Sequence, residues 1–245
     1  MRFFVSFFLA TVFLFAASNS QNSIADDFEN EYTQTKKSDF DPLRGYNEFM
    51  TNVNDKFYTH ILFPVAKGYK AVIPKKSRDS VSNFFDNLFF PIRFVNNLLQ
   101  LKFKNTLEES ERFILNSTLG LAGLFDVAHD KFHIKAHNED FGQTLGYYGF
   151  GGGFHIVWPI LGDSNLRDSV GLVADSLLDP KVYIDNRGYN LVNSDAQSFG
   201  VNSFYIINRA SFEYKKYEAI KKGTVELYPV LKELYEKRRD EVIKE

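Results

Sequence analysis

The 245-residue sequence contains no cysteine. That excludes disulfides, thiolate nucleophiles and a thiol that could carry a lipid, so a fold in an oxidising compartment must hold by side-chain burial alone. After residue 18 no run of 18 apolar residues occurs, which excludes a predicted transmembrane helix. The strand-length alternation of a transmembrane barrel is also missing. Neither sign of charge dominates: 29 Lys and Arg stand against 31 Asp and Glu. Nothing here resembles the basic patch or stripe of a nucleic-acid binder. A G-x-x-x-x-G-K-[ST] phosphate loop is absent, so the chain does not itself couple ATP to work. A nucleophile elbow and an H-E-x-x-H hydrolase motif are absent as well.

What is present is aromatic. There are 26 phenylalanines, six of them in the apolar run Phe3 to Ala17. With Arg2 before that run and Ala16-Ala17-Ser18 after it, residues 1–18 read as a secretory signal peptide. Fifteen helical residues span roughly 22 Å, short of the roughly 30 Å hydrocarbon core. Residues 19–40 are polar and without period, a flexible leader. Residues 41–220 form one predicted domain and residues 221–245 a charged amphipathic helix.

Helical spacing recurs along the domain. Asp41-Pro42 predicts a helix start, with Asp as N-cap and Pro at the first helical position. Leu43, Tyr46, Phe49, Val53 and Phe57 then share a face. Pro64 and Pro74 are expected breaks. Val81 to Phe89, Ile92 to Leu101 and Leu107 to Leu119 give further apolar faces, and Gly120 and Gly123 interrupt. Residues 124–140 carry no clean period. A short helix is expected over Phe141 to Tyr148 and an extended segment over His155 to Ile160. Asp163 or Ser164 is expected to cap a helix through Leu178, and residues 190–220 look helical. The fold class is mainly α, with many short amphipathic helices.

The densest stretch is Glu139 to Asp168, EDFGQTLGYYGFGGGFHIVWPILGDSNLRD. Six glycines, Gly142, Gly146, Gly149, Gly151, Gly152 and Gly153, fall within twelve residues. Such a backbone can adopt positive φ and approach its neighbours closely. His129, His133 and His137 are spaced by four and would share a helical face able to bind zinc. The segment lacks helical periodicity, however, so surface histidines are the expected reading and no metal or cofactor is assigned.

Five further motifs accompany that stretch in order: D-P-L-x-G-x-N at Asp41 to Asn47, S-N-F-x-x-N-L-x-x-P at Ser82 to Pro91, N-N-L-L-Q at Asn96 to Gln100, R-F-x-x-N-S-x-x-G-x-x-G-x-x-D-V-A at Arg112 to Ala128, and the weaker R-x-x-F-E-Y at Arg209 to Tyr214. Together they resemble the MlaA (VacJ) family of outer-membrane phospholipid-transport proteins, although the lipid-attachment cysteine usual in that family is missing. The resemblance implies a single ring-like helical domain on the periplasmic side of the outer membrane, embedded in its inner leaflet. It implies a non-enzymatic role: mislocalised phospholipid leaves the outer leaflet through an amphipathic channel. The implied partners are phospholipid, a trimeric porin, and a soluble periplasmic carrier linked to an inner-membrane ABC transporter. A porin-associated structural adaptor and a phospholipid hydrolase are the alternative readings.

On that resemblance, Phe84, Phe85, Phe89, Phe90, Tyr147, Tyr148 and Trp158 are candidate lipid-binding or membrane-facing residues. Gly146, Gly149, Gly151, Gly152 and Gly153 are a candidate gating loop. Asn47, Arg112, Asn116, Asp126, Arg167 and Asp168 are the motif's polar residues, expected either to pair within the fold or to meet a headgroup.

Overall fold

A computed structural model describes residues 41–180 and 195–245. The predicted signal peptide, the leader and the first residues of the helix expected from 190 lie outside the described residues. The elements are α1 (Arg44–Phe57), a π-helical turn (Tyr58–Leu62), α2 (Phe63–Val72), α3 (Lys75–Leu88), α4 (Phe90–Leu99), α5 (Phe103–Thr118), α6 (Val127–Phe132), α7 (Phe141–Tyr147), strands β1 (His155–Trp158) and β2 (Gly162–Asn165), α8 (Leu166–Ser176), α9 (Asp195–Lys222) and α10 (Leu227–Lys244). The fold is mainly α, in a single domain. The two strands form an antiparallel hairpin pairing His155 with Asn165 and Trp158 with Gly162.

The helix contacts close a circuit. From α1 the chain runs through the π turn to α2, which packs on α9; α9 meets α3, α3 meets α4, α4 meets α7, α7 meets α10, and α10 returns to α1. The main apolar cluster sits on one arc of it. Tyr58, Leu62, Phe63 and Ala66 pack there against Ala210, Tyr214 and Tyr217 of α9.

Three local expectations are corrected. Asp41 does not cap a helix. Its carboxylate accepts from the Tyr228 hydroxyl at 2.6 Å and Lys232 Nζ at 3.0 Å, and α1 starts only at Arg44. Pro64 does not break the helix. A proline lacks the N–H and its ring crowds the carbonyl four residues back. The π turn just before it, where the Phe63 N–H reaches the Tyr58 carbonyl, opens the helix at that place and lets it continue to Val72. The cap of α8 is Asn165, the last residue of β2, whose side chain accepts the Asp168 N–H at 2.9 Å; Asp163 and Ser164 lie further back in the strand.

Helices α7 and α8 meet backbone to backbone. A Cβ on Gly171 would lie 2.5 Å from the Gly142 nitrogen and 2.9 Å from its Cα. Neither backbone can yield, since Asp140 and Asn165 cap both helices at that point. Gly171→Ala is therefore expected to cost about 2–3 kcal/mol in urea unfolding. Gly68→Ala is the control: its Cβ meets nothing within 4 Å, and α2 should gain roughly 0.5–1 kcal/mol.

Candidate functional site

The buried side chains are mostly polar. Among the described residues 26 polar or charged residues are buried against 13 apolar ones, and of the largest fully buried side chains only Val157 is apolar. Three of the helices are amphipathic with the usual orientation reversed. On α5 the buried positions are Thr106, Glu109, Arg112 and Asn116, while Phe103, Leu107 and Ile114 face outward, Leu107 at 65% exposure. On α8 Arg167, Asp168, Gly171 and Asp175 are buried; Leu166, Val170, Val173 and Leu177 are exposed. On α1 Asn47, Thr51 and Asn54 are buried beneath an outer stripe of Tyr46, Phe49 and Val53. Three helices thus carry apolar stripes on the outside. In water such a surface is unfavourable; in acyl chains it is matched.

The polar interior is organised by capping and pairing. Asp140 accepts the Gln143 N–H at 2.7 Å and so caps α7, and it receives two bonds from the Arg239 guanidinium of α10, at 2.7 and 2.8 Å. The same guanidinium reaches Asp168 in the first turn of α8 at 2.9 Å. Arg167 and the Tyr235 hydroxyl complete the Asp168 shell. Burial works against the Asp140 carboxylate, but Arg239 outweighs it and holds the pKa below the usual aspartate range. On nearby Asp175 the Arg239 charge acts only weakly. Burial and the Asp140 charge push it up to about 7, although it accepts from the Phe141 N–H and from Asn96.

His155 bridges the hairpin to α10. Nδ1 lies 2.8 Å from Glu236 Oε1 and Nε2 3.1 Å from Asp163 Oδ1. Burial disfavours the imidazolium, yet the two carboxylates raise its pKa above the ordinary value, and both ring nitrogens then donate.

A second charged group lines the circuit from α9. Burial pushes Glu213 up to about 7 against the opposing charges of Arg209, Lys216 and Arg238. One of its carboxyl oxygens is buried without a hydrogen bond. A folded-state pKa above the unfolded value means the neutral acid is favoured in the fold. That contribution is complete below about pH 4.5 and is lost as pH rises through 7. Glu213→Gln should therefore match the parent at pH 5 and exceed it at pH 8 by on the order of 2 kcal/mol, read from urea midpoints.

The predicted residues fall as follows. Arg112, Asn116 and Asp126 come together: Arg112 reaches Asp126 at 2.8 Å and the Ile134 carbonyl at 2.6 Å, Asn116 reaches Asp126 at 2.9 Å, and Asp126 caps α6. Arg167 and Asp168 join the Arg239 cluster, and Asn47 clamps the hairpin. Each of the six polar motif residues thus pairs within the fold. Phe84 is exposed, while Phe85 is buried against Tyr205, ring centroids 4.8 Å apart. Phe89 and Phe90 are half-buried, and Phe90 stacks on Phe113 at 4.4 Å. Tyr147 and Tyr148 are exposed. Trp158 is half-buried, its indole N–H donating to Ser169.

The glycine run is held at both ends. A Cβ on Gly146 would strike Ile243 of α10, and one on Gly152 would strike the Asn165 amide. Gly149 and Gly153 adopt φ of 86° and 73°, and Gly149 and Gly151 face open space. The three histidines share no helical face. His133 ends α6 in the left-handed conformation, and His137 pairs with Glu108 at 2.5 Å. Among the described residues no group of three His, Cys, Asp or Glu is placed to hold a metal ion, and no helix is long and apolar enough to cross a membrane.

Sequence reasoning passed over Asn54, Glu109, Asp140, His155 and Arg239. Glu109, with no exposed surface, accepts from Arg93 at 2.7 Å and from the His137 N–H at 2.6 Å. The available signal was their spacing. Thr106, Glu109, Arg112 and Asn116 recur at three and four as regularly as the apolar residues do.

The family model described as MlaA lipoprotein matches residues 39–242. An uncharacterized protein of Rickettsia typhi is 33% identical over 153 residues, 62% of this chain and 61% of the relative. The intermembrane phospholipid transport system lipoprotein MlaA of Escherichia coli (strain K12) is 37% identical over 139 residues, 55% of each chain. The protein of that name from Haemophilus influenzae is 33% identical over 141 residues, 56% of this chain and 55% of the relative. The matched stretch thus spans 61% or less of these curated relatives. A solved structure from work on the structural basis for maintenance of bacterial outer membrane lipid asymmetry superposes with a TM-score of 0.70 at 29% identity, covering 83% of this chain and 98% of that one.

Proposed function

The chain belongs to the MlaA lipoprotein family, and from that premise we propose that it serves intermembrane phospholipid transport, removing mislocalised phospholipid from the outer leaflet of the outer membrane and so maintaining lipid asymmetry. The observation that carries this reading is the reversed amphipathicity: outward apolar stripes on α1, α5 and α8 enclose a polar, charged interior. The outer stripes seat the protein in the periplasmic-side leaflet. The inner charges offer a headgroup a hydrated route.

The energetic problem is sheltering the tails. Exposing about 30 methylenes to water costs on the order of 20 kcal/mol, at about 0.8 kcal/mol each. A ring of short helices that meets tails outside and heads inside meets that demand without covalent chemistry, so the role is not enzymatic. Phospholipid passes through an amphipathic channel beside a porin trimer to a soluble periplasmic carrier, with energy supplied by the carrier's ABC transporter. In this reading Tyr147, Tyr148 and Phe84 meet the bilayer, and the open-sided Gly149 and Gly151 give the loop at the channel its freedom to gate.

The direct test is lipid mass spectrometry of the full chain purified in mild detergent. Phospholipid retained with the protein supports the proposal. A protein that carries no phospholipid and does not associate with outer-membrane vesicles contradicts it.

A further inference from the structure

An apolar pocket of about 500 Å³ opens between α3 and α9. Val81, Phe84 and Phe85 form one wall, Val201 and Phe204 the other, and Leu124 from the turn after α5 closes a third side. That turn is apolar and stiff. Leu121 and Ala122 both take left-handed φ, and its backbone is tied back by Ala122 to Ser117 at 3.0 Å and Gly123 to Asn116 at 2.8 Å. Leu119, Leu121 and Phe125 project from it, so the pocket is continuous with the exposed apolar surface.

We propose that this pocket is a subsite for one acyl chain of a phospholipid in transit. The inference rests on the transport reading and deepens it by locating a tail. Three features select an amphiphile. The pocket presents only carbon side chains, in the size range of a ligand cavity. Its inner wall, Phe85, packs at a tilt against Tyr205, whose hydroxyl accepts from Arg209 at 3.0 Å, so the apolar lining gives way within one ring to a charged region containing Arg209, Asp86 and Glu213. Arg209 stands eight residues along α9 from Val201, about 12 Å, a separation suited to a chain ending in a polar head.

Gly200 provides the test. It lies at the pocket on α9, and a Cβ there meets nothing within 4 Å. Gly68→Ala on α2, outside the pocket lining, should leave the fold and lipid binding intact. Gly200→Phe adds a ring at the pocket from a position whose Cβ is unhindered. The full chain is purified in mild detergent and offered dipalmitoyl or dihexanoyl phosphatidylethanolamine.

Gly200→Phe is expected to weaken dipalmitoyl binding about tenfold, the equivalent of roughly two methylenes left unburied, and to leave dihexanoyl binding unchanged. A benzophenone side chain at Phe204 is expected to crosslink to the acyl chain. Equal dipalmitoyl binding by Gly200→Phe and the parent, or crosslinks only to detergent, to a second copy or to another part of the chain, overturns the subsite and leaves the transport reading standing. A parent that binds neither lipid overturns the transport reading itself.

Discussion

Asn47→Leu is expected to remove about 3–5 kcal/mol of stability and to release the hairpin from α1. Asn47 has no exposed surface, and its amide completes the edge of β1 as a neighbouring strand would. Nδ2 donates to the His155 carbonyl at 3.0 Å and Oδ1 accepts the Val157 N–H at 2.8 Å. Two helical turns on, Asn54 repeats the motif, donating to the Trp158 carbonyl at 2.9 Å and accepting the Ile160 N–H at 2.6 Å. Leucine keeps the volume and strands a buried N–H and a buried carbonyl, each costing about 1–3 kcal/mol. The Tyr228 hydroxyl, 3.1 Å from Nδ2, loses a donor as well. Urea unfolding measures the loss. The half-buried neighbour Glu48, which loses only its i,i+4 pair with Arg44, should on substitution by Ala stay within about 0.5 kcal/mol of the parent. A cost below about 1 kcal/mol for Asn47→Leu would show that water replaces the amide and that the clamp is dispensable.

Arg239→Met should cost a similar amount, about 3–5 kcal/mol, because it leaves half-buried Asp140 and buried Asp168 without their shared cation. Asp140 and Asp168 are both first-turn or cap residues of helices that meet backbone to backbone, so the loss falls on the α7–α8 contact and on the glycine run between them. Arg239→Lys should not rescue, since one ammonium cannot make the paired bonds to Asp140 and also reach Asp168. The pH response should reverse. In the parent the depressed Asp140 contributes stability above its unfolded pKa and loses it as pH falls through the folded value. With Arg239 gone, the Gln143 hydrogen bonds are left to oppose burial and the pKa rises, so the variant should gain stability as pH is lowered from 7 to 5. Asp140→Asn in the Arg239→Met background should recover part of the loss. Simple additivity of the two changes would contradict the cluster as a unit.

Helix existence was legible in the sequence because apolar spacing at three and four is independent of what lies on either side. Val81 to Leu88 and Leu107 to Thr118 fall in helices, the expected spans overrunning each by one residue, and the hairpin's first strand was visible at His155. Which face points inward was not legible. Leu166, Val170, Val173 and Leu177 have the spacing of a core stripe, yet all four are exposed. Periodicity reports that two faces differ, and only the medium decides which is buried. The short α6 was hidden because its six residues make fewer than two helical turns, too few for a repeat to show, and its start is set by Asp126 accepting from His129. Arg239 was hidden in a tail whose many charges read as a solvated face, and its burial comes from carboxylates 99 and 71 residues away in sequence. The polar motif residues were found by resemblance; that Arg112, Asn116 and Asp126 are one cluster required the turn at Gly120 and Gly123 to bring them together.

The central claim is that this protein clears phospholipid from the outer leaflet. It is tested most directly by adding a phospholipase to intact cells lacking the gene and measuring cleavage of surface phospholipid. The account predicts more cleavage than in the parent strain, reversed by the intact gene and not by one encoding Arg239→Met. Equal cleavage with and without the gene would contradict it.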